Sequence, residues 1–80
     1  MGIKEAIVLR INSLCIEKNI SYNALANASG VTPSTVYSLF DNSRKDIGLV
    51  LLKKLCDGLG VTITEFFEDE IFAELEQEIK

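Results

Sequence analysis

Apolar side chains recur every three or four positions near the start of the chain, at Ile3, Ile7, Ile11 and Leu14, and place one oily face on a helix running from residue 3 to about residue 18. Asn19 and Ile20 make a short connection, and Ser21 can cap the next helix by accepting a backbone N–H through its hydroxyl. The second helix reads YNALANAS. Gly30 follows it, where a left-handed conformation ends a helix without steric cost, and Val31 can fold back onto the core. Thr32 then offers an N-cap hydroxyl, and Pro33 takes the first helical position, where its missing N–H has no partner to lose. The third helix runs from there to about Phe40. After the loop DNSRKDIG, the residues Leu49, Leu52, Leu55, Cys56 and Leu59 recur at helical spacing until Gly58-Leu59-Gly60 stops a fourth helix. Thr62 with Glu65 has the form of a capping box, so a fifth helix starts near Ile63, with a break around Glu68 and Asp69 before the helical pattern IFAELEQEI. The pattern predicts an all-α, five-helix bundle with no strands: a single domain over residues 1–80, its core about 3–68 and a helical tail about 69–80.

The second and third helices, with the glycine turn between them, have the form of a helix-turn-helix over roughly residues 22–40, a unit whose second helix enters the major groove of DNA. Two helices that cross closely need a small residue at the crossing, which Ala26 supplies. Leu25 and Ser29 share that inner face, and Val36 with Leu39 gives the third helix its buried side. Ser34, Thr35, Tyr37 and Ser38 are left facing outward as candidate readers of bases. Each of the structural residues is ordinary in a helical bundle, and it is their joint spacing with Thr32-Pro33 that points to DNA.

The run LANASGVTPSTVYSL resembles the helix-turn-helix of the Cro/C1-type, phage-repressor-like family of bacterial regulators, and LLKKLCDGLGVTITEFF is similar to that family's fourth helix and the start of its fifth. The likeness covers about residues 3–68. It implies a lambda-repressor-like DNA-binding domain in which the start of the second helix touches the DNA backbone, the third helix reads bases and the following loop grips phosphate. Carried onto this chain, the implied contacts are Ser21 and Tyr22, then Thr32, Pro33, Ser34, Thr35, Tyr37 and Ser38, then Asn42, Ser43, Arg44 and Lys45. Tyr22 departs from the family pattern, which often has a glutamine there that buttresses the DNA contact. A tyrosine hydroxyl can bond a phosphate instead.

The chain of 80 residues has a net charge of −4, which at first argues against nucleic acid, since phosphate binding rests on Lys and Arg. The distribution changes that. Residues 1–60 carry seven cations against five acids, a balance of +2, whereas residues 61–80 carry one against seven, a balance of −6. Arg44 and Lys45 are adjacent cations on the loop after the third helix, and Lys18 with Lys53 or Lys54 can extend that positive surface. The third helix has no Arg, Lys, Asn or Gln, so it lacks the bidentate base pairings that discriminate most strongly. Discrimination per monomer is therefore expected to be modest.

No histidine is present, which removes His-dependent catalytic triads and His metal sites, and two cysteines cannot complete a structural zinc site. Gly58-Leu59-Gly60 lacks the third glycine and preceding strand of a dinucleotide fingerprint. No cofactor is expected, and the chain is read as a non-enzyme; a hydrolase built on Asp41 and Asp46 is the weaker chemical rival. Cys15 and Cys56 lie within helical patterns and are read as buried, reduced thiols. The opening MGIKEAIVLR is interrupted by Lys4, Glu5 and Arg10, unlike a secretion signal, and no apolar run spans a bilayer, so a cytoplasmic location is expected.

The tail EFFEDEIFAELEQEIK carries more large apolar side chains than so small a domain needs to cover, and leftover apolar surface marks partner sites. Phe67, Ile71, Phe72, Leu75 and Ile79 are accordingly expected to form a homodimer contact, with packing on the tail's own domain as the plainer reading. The expected function is a transcriptional regulator, a repressor, binding double-stranded operator-like DNA as a homodimer. The alternative is a protein-interaction module of the same fold, such as an antitoxin or an adaptor, docking a protein partner through the tail.

Overall fold

A computed structural model describes residues 1–79; Lys80, the last residue of the expected tail, lies outside them. Five α-helices follow one another: α1 (Ile3–Lys18), α2 (Tyr22–Ser29), α3 (Pro33–Ser38), α4 (Leu49–Leu59) and α5 (Ile63–Phe67), with a short 3₁₀ turn at Glu70–Phe72. Among the described residues there are no strands, and no helix is long and apolar enough to cross a membrane.

The ends of these helices follow from local chemistry. Asn19 closes α1 in the left-handed conformation, with φ of 55°, which asparagine tolerates better than most residues. Gly30 and Gly60 close α2 and α4 in the same way, at φ of 70° and 74°. Thr62 and Glu65 form the reciprocal capping box: the Glu65 N–H donates to the Thr62 hydroxyl at 3.0 Å, and the Thr62 N–H donates to the Glu65 carboxylate at 2.9 Å. The Thr62 N–H, and after it the Thr62 hydroxyl, favour the charged form of Glu65 and hold its carboxyl below the ordinary range.

One hydrophobic core joins Ile7, Ile11 and Leu14 of α1, Leu25 and Ala26 of α2, Val36 of α3, Leu39, the inner face of α4 and Phe66 of α5. Cys15 and Cys56 are buried, unbridged members of that core, and burial pushes both thiols up from their ordinary pKa. α2 packs chiefly on α4 and α3. The closest approach of α2 and α4 is between Ser29 and Gly58: a Cβ at position 58 would lie 2.1 Å from the Ser29 Oγ and 3.0 Å from its backbone nitrogen. Ser29 and Gly58 are thus the small residues at this crossing, while Ala26, three positions earlier on α2, is fully buried.

Four expectations need correction. Ile3 and Leu49 do not join the core; they are 41% and 83% exposed. Each begins its helix, and side chains in a first turn lean back toward the N-terminus, past the end of the packed face. α3 ends at Ser38, because Leu39, Phe40 and Asp41 bond back by three residues rather than four and tighten the chain out of the helix. The Lys4 ammonium then takes the Leu39 carbonyl, and that of Asp41 at 3.3 Å.

The expected tail helix is the fourth. After α5 only Glu70–Phe72 is helical, and as a 3₁₀ turn. A helix through this stretch would stack Glu70, Glu74 and Glu78 four apart, where like charges repel. Arg10 also caps α5 at its end, donating to the Phe66 carbonyl at 2.7 Å and the Glu65 carbonyl at 2.9 Å, while pairing with Asp69 at 3.2 Å. The remaining tail lies along the start of the chain: the Glu76 N–H donates to the Met1 carbonyl at 3.0 Å, and the Glu76 carboxylate sits 3.5 Å from the terminal ammonium.

Candidate nucleic-acid interface

The two caps and the turn set the geometry of α2 and α3. The Ser21 hydroxyl accepts the Ala24 N–H at 3.1 Å, the Val31 N–H returns to the Ala26 carbonyl at 3.0 Å, and the Thr32 hydroxyl accepts the Thr35 N–H at 3.3 Å with Pro33 at the first helical position. Val36 and Leu39 are thereby turned into the core. Thr32, Pro33, Ser34 and Tyr37 lie on the opposite, exposed side, with Thr35 and Ser38 half-buried beside them.

The hydroxyls on this side are tied to one another. Thr32 Oγ1 lies 3.0 Å from Ser34 Oγ and 2.9 Å from Thr35 Oγ1, and Ser38 Oγ donates to the Thr35 carbonyl at 2.9 Å. Tyr37 differs: it is 53% exposed, and its hydroxyl makes no hydrogen bond among the described residues. It is the longest outward group on α3.

Tyr22, at the first position of α2, is half-buried rather than free at the surface. Its hydroxyl donates to the side-chain oxygen of Asn12 on α1. Its ring meets the Tyr37 ring edge-on, with centroids 5.8 Å apart and planes at 88°, and leans on Phe40 at 4.8 Å. Burial is the main reason its phenol is pushed above the ordinary tyrosine range. Asn12, Tyr22 and Tyr37 line an open cleft that also takes in Ile16, Asn19 and Ser21.

Asn42, Ser43, Arg44 and Lys45 are all exposed on the loop after α3. Asp41 organises that loop, accepting the Ser43 N–H at 2.9 Å and the Ser43 hydroxyl at 2.8 Å, and these bonds lower its pKa. The Arg44 guanidinium lies 3.9 Å from the same carboxylate, so part of its charge is answered within the loop. Asp46 bonds the N–H of Ile47 at 2.7 Å. Of the two carboxylates that could have served hydrolysis, Asp41 is thus engaged in a local turn and Asp46 in a bond to its neighbour's N–H. On α4, Lys53 pairs with Asp57; Lys18, Lys45 and Lys54 face no carboxylate within ion-pair distance among the described residues.

The expected dimer residues divide. Phe67 and Phe72 pack against the core and against each other, at 4.8 Å between centroids, and Phe66 joins them. Ile71 and Leu75 are half-buried, and Ile79 is 86% exposed. The other strongly exposed apolar side chains include Leu49 and its neighbour Val50, at 70%, in the first turn of α4.

Two residues near the outward face of α3 escaped the sequence analysis. Asn12 is ten positions from Tyr22 and on another helix, and no local pattern links them. Lys4 carried a signal: it falls on the stripe shared by Ile7, Ile11 and Leu14, where a polar residue implies a specific partner.

A control protein from a Mycoplasma species, C.MunI, is 43% identical to this chain over 35 residues, which are 44% of this chain and 47% of the relative. The match thus spans about half the length of that curated relative. No solved structure matches. The family described as the Cro/C1-type HTH DNA-binding domain matches residues 10–70, three-quarters of the chain and all of α2, α3 and α4. With its paired caps, left-handed glycine turn and exposed face on α3, the chain belongs to the Cro/C1-type helix-turn-helix DNA-binding domain family.

Proposed function

We propose that this chain is a sequence-specific transcriptional regulator that lays α3 in the major groove of duplex DNA as a homodimer. The observation that carries the reading is the outward face of α3, where Thr32, Ser34, Thr35, Tyr37 and Ser38 are presented by a turn whose other side is locked into the core. Ser21 at the start of α2, and Asn42 to Lys45 on the following loop, flank that face and supply phosphate contacts. Tyr22 acts from behind it, its hydroxyl proton being committed to Asn12.

A second copy supplies what one charge-poor helix lacks. Two α3 helices set about 34–36 Å apart read two half-sites and multiply a modest affinity. Ile79, Leu49, Ile16 and Val50 are the most exposed of the apolar side chains open to that contact among the described residues, since Phe67 and Phe72 are packed within the domain. In its simplest form, occupancy of the site blocks transcription, so the regulator acts as a repressor. The similarity to a protein named a control protein supports a regulatory role.

Selection of bound sequences from random duplex DNA, followed by a salt titration on the winner, tests this. An enriched palindrome with a steep salt slope is expected, with lowered output from a reporter carrying that site. Failure of any sequence to enrich, with a protein partner co-purifying through the tail, would replace the reading with the adaptor or antitoxin one.

A further inference from the structure

We propose that Asn12, on a helix that does not carry the reading face, is a positioning residue for base recognition: it holds Tyr22, and Tyr22 sets the place of Tyr37. The inference rests on the reading that α3 faces the bases.

An asparagine in the middle of α1 is a poor helix former, so neither capping nor propensity accounts for it. What it does is accept the Tyr22 phenol proton across the α1–α2 junction. Rotation of Tyr22 about its side-chain bonds would break that bond. With the hydroxyl anchored and Phe40 against the ring, Tyr22 presents a fixed aromatic wall to Tyr37.

The edge-on contact at 5.8 Å and 88° is a favourable aromatic geometry. Tyr37 has its hydroxyl free and half its surface open, so this wall limits where its tip can swing. A long side chain that reads a base edge discriminates only if it is held in one place, because a mobile one can follow the wrong base. In this arrangement Asn12 and Tyr22 act on discrimination, while Lys45 and Ser21 act on grip.

The test compares Asn12→Leu, which removes the acceptor at similar size, Asn12→Asp, which keeps it, and Tyr22→Phe, which keeps the ring and loses the hydroxyl. Each variant of the 80-residue chain is measured on the selected site, on single-base-pair variants of it and on unrelated duplex, with folding checked by thermal melts. Asn12→Leu and Tyr22→Phe are each expected to lower discrimination by about three- to tenfold, at the same base pairs that Tyr37→Ala affects. Their double variant should lose no more than either alone. Binding to unrelated duplex and the salt slope should stay unchanged, and Asn12→Asp should restore the discrimination ratio.

Intact discrimination in Asn12→Leu and Tyr22→Phe, beside its loss in Tyr37→Ala or Thr35→Ala, would overturn the positioning role and leave the α3 reading standing. Asn12→Asp behaving like Asn12→Leu would also overturn it. If neither Tyr37→Ala nor Thr35→Ala alters sequence preference, the α3 reading itself falls, and the inference with it.

Discussion

Ser29→Ala is expected to stabilise the protein. Ser29 is 8% exposed at the end of α2, and its hydroxyl has no hydrogen-bond partner within the described residues. A buried hydroxyl left in that condition costs about 1–3 kcal/mol, because it gives up water and gains nothing in return. Removing it sacrifices a few dispersion contacts against Gly58, each about 0.1–0.2 kcal/mol. It also gains a few tenths of a kcal/mol in helix propensity, less than in a helix interior because Ser29 is the last residue of α2. The net gain is about 1–2 kcal/mol. For a domain of this size that raises Tm by roughly 4–16 °C, read by circular dichroism and checked by urea denaturation at unchanged slope. DNA affinity should stay as it was, since Ser29 faces α4 and not the outward face of α3. A fall in Tm of more than about 4 °C would refute the reasoning, by showing that the hydroxyl holds a partner at the helix crossing.

The remaining expectations use the same structure. Gly58→Ala should destabilise by about 1–2 kcal/mol, the overpacking cost less the propensity gained, and Ser29→Ala in the same chain should restore part of it; simple additivity in a double-mutant cycle would contradict the close crossing. Glu65 has a folded-state pKa below its unfolded value, so its capping contribution is present above the ordinary glutamate pKa of about 4.3 and lost as the pH falls through the lower folded value. Glu65→Gln, which keeps an acceptor without a charge, should therefore flatten the acid limb of a stability–pH curve while leaving the box formed at pH 7. Lys45→Ala should weaken binding to all duplex sequences alike and reduce the salt slope by about one, whereas a selective loss at particular base pairs would remove Lys45 from the phosphate-binding set.

Much of the helix-turn-helix was legible because its signals are local. Ser21, Gly30, Thr32 with Pro33, and Thr62 with Glu65 act within three or four residues of themselves, so adjacent letters suffice to place the helix ends. The contacts that were not legible join distant parts of the chain. Arg10 reaches the end of α5 across 56 positions, Lys4 reaches Leu39 across 35, and the Ser29–Gly58 approach links two helices that each read as ordinary in isolation. Periodicity misled in the tail for a different reason. IFAELEQEI has apolar residues at helical spacing, but carboxylates stacked along the same helix oppose it, and Phe67 and Phe72 gain more by packing on the core.

The linked hydroxyls of Thr32, Ser34 and Thr35 carry a consequence for how permissive an operator can be. In each Thr32 contact either oxygen can be the donor, so the proton order along the chain can reverse without moving a heavy atom. One order offers an O–H to a guanine or thymine acceptor; the other offers a lone pair to an adenine or cytosine amine. Base pairs opposite these three residues should therefore show shallow preferences in selected sites, and those opposite Tyr37 steeper ones. If α3 lies in the major groove as proposed, such a surface should recognise a set of related sites with graded occupancy, so that protein concentration decides how many of them are filled.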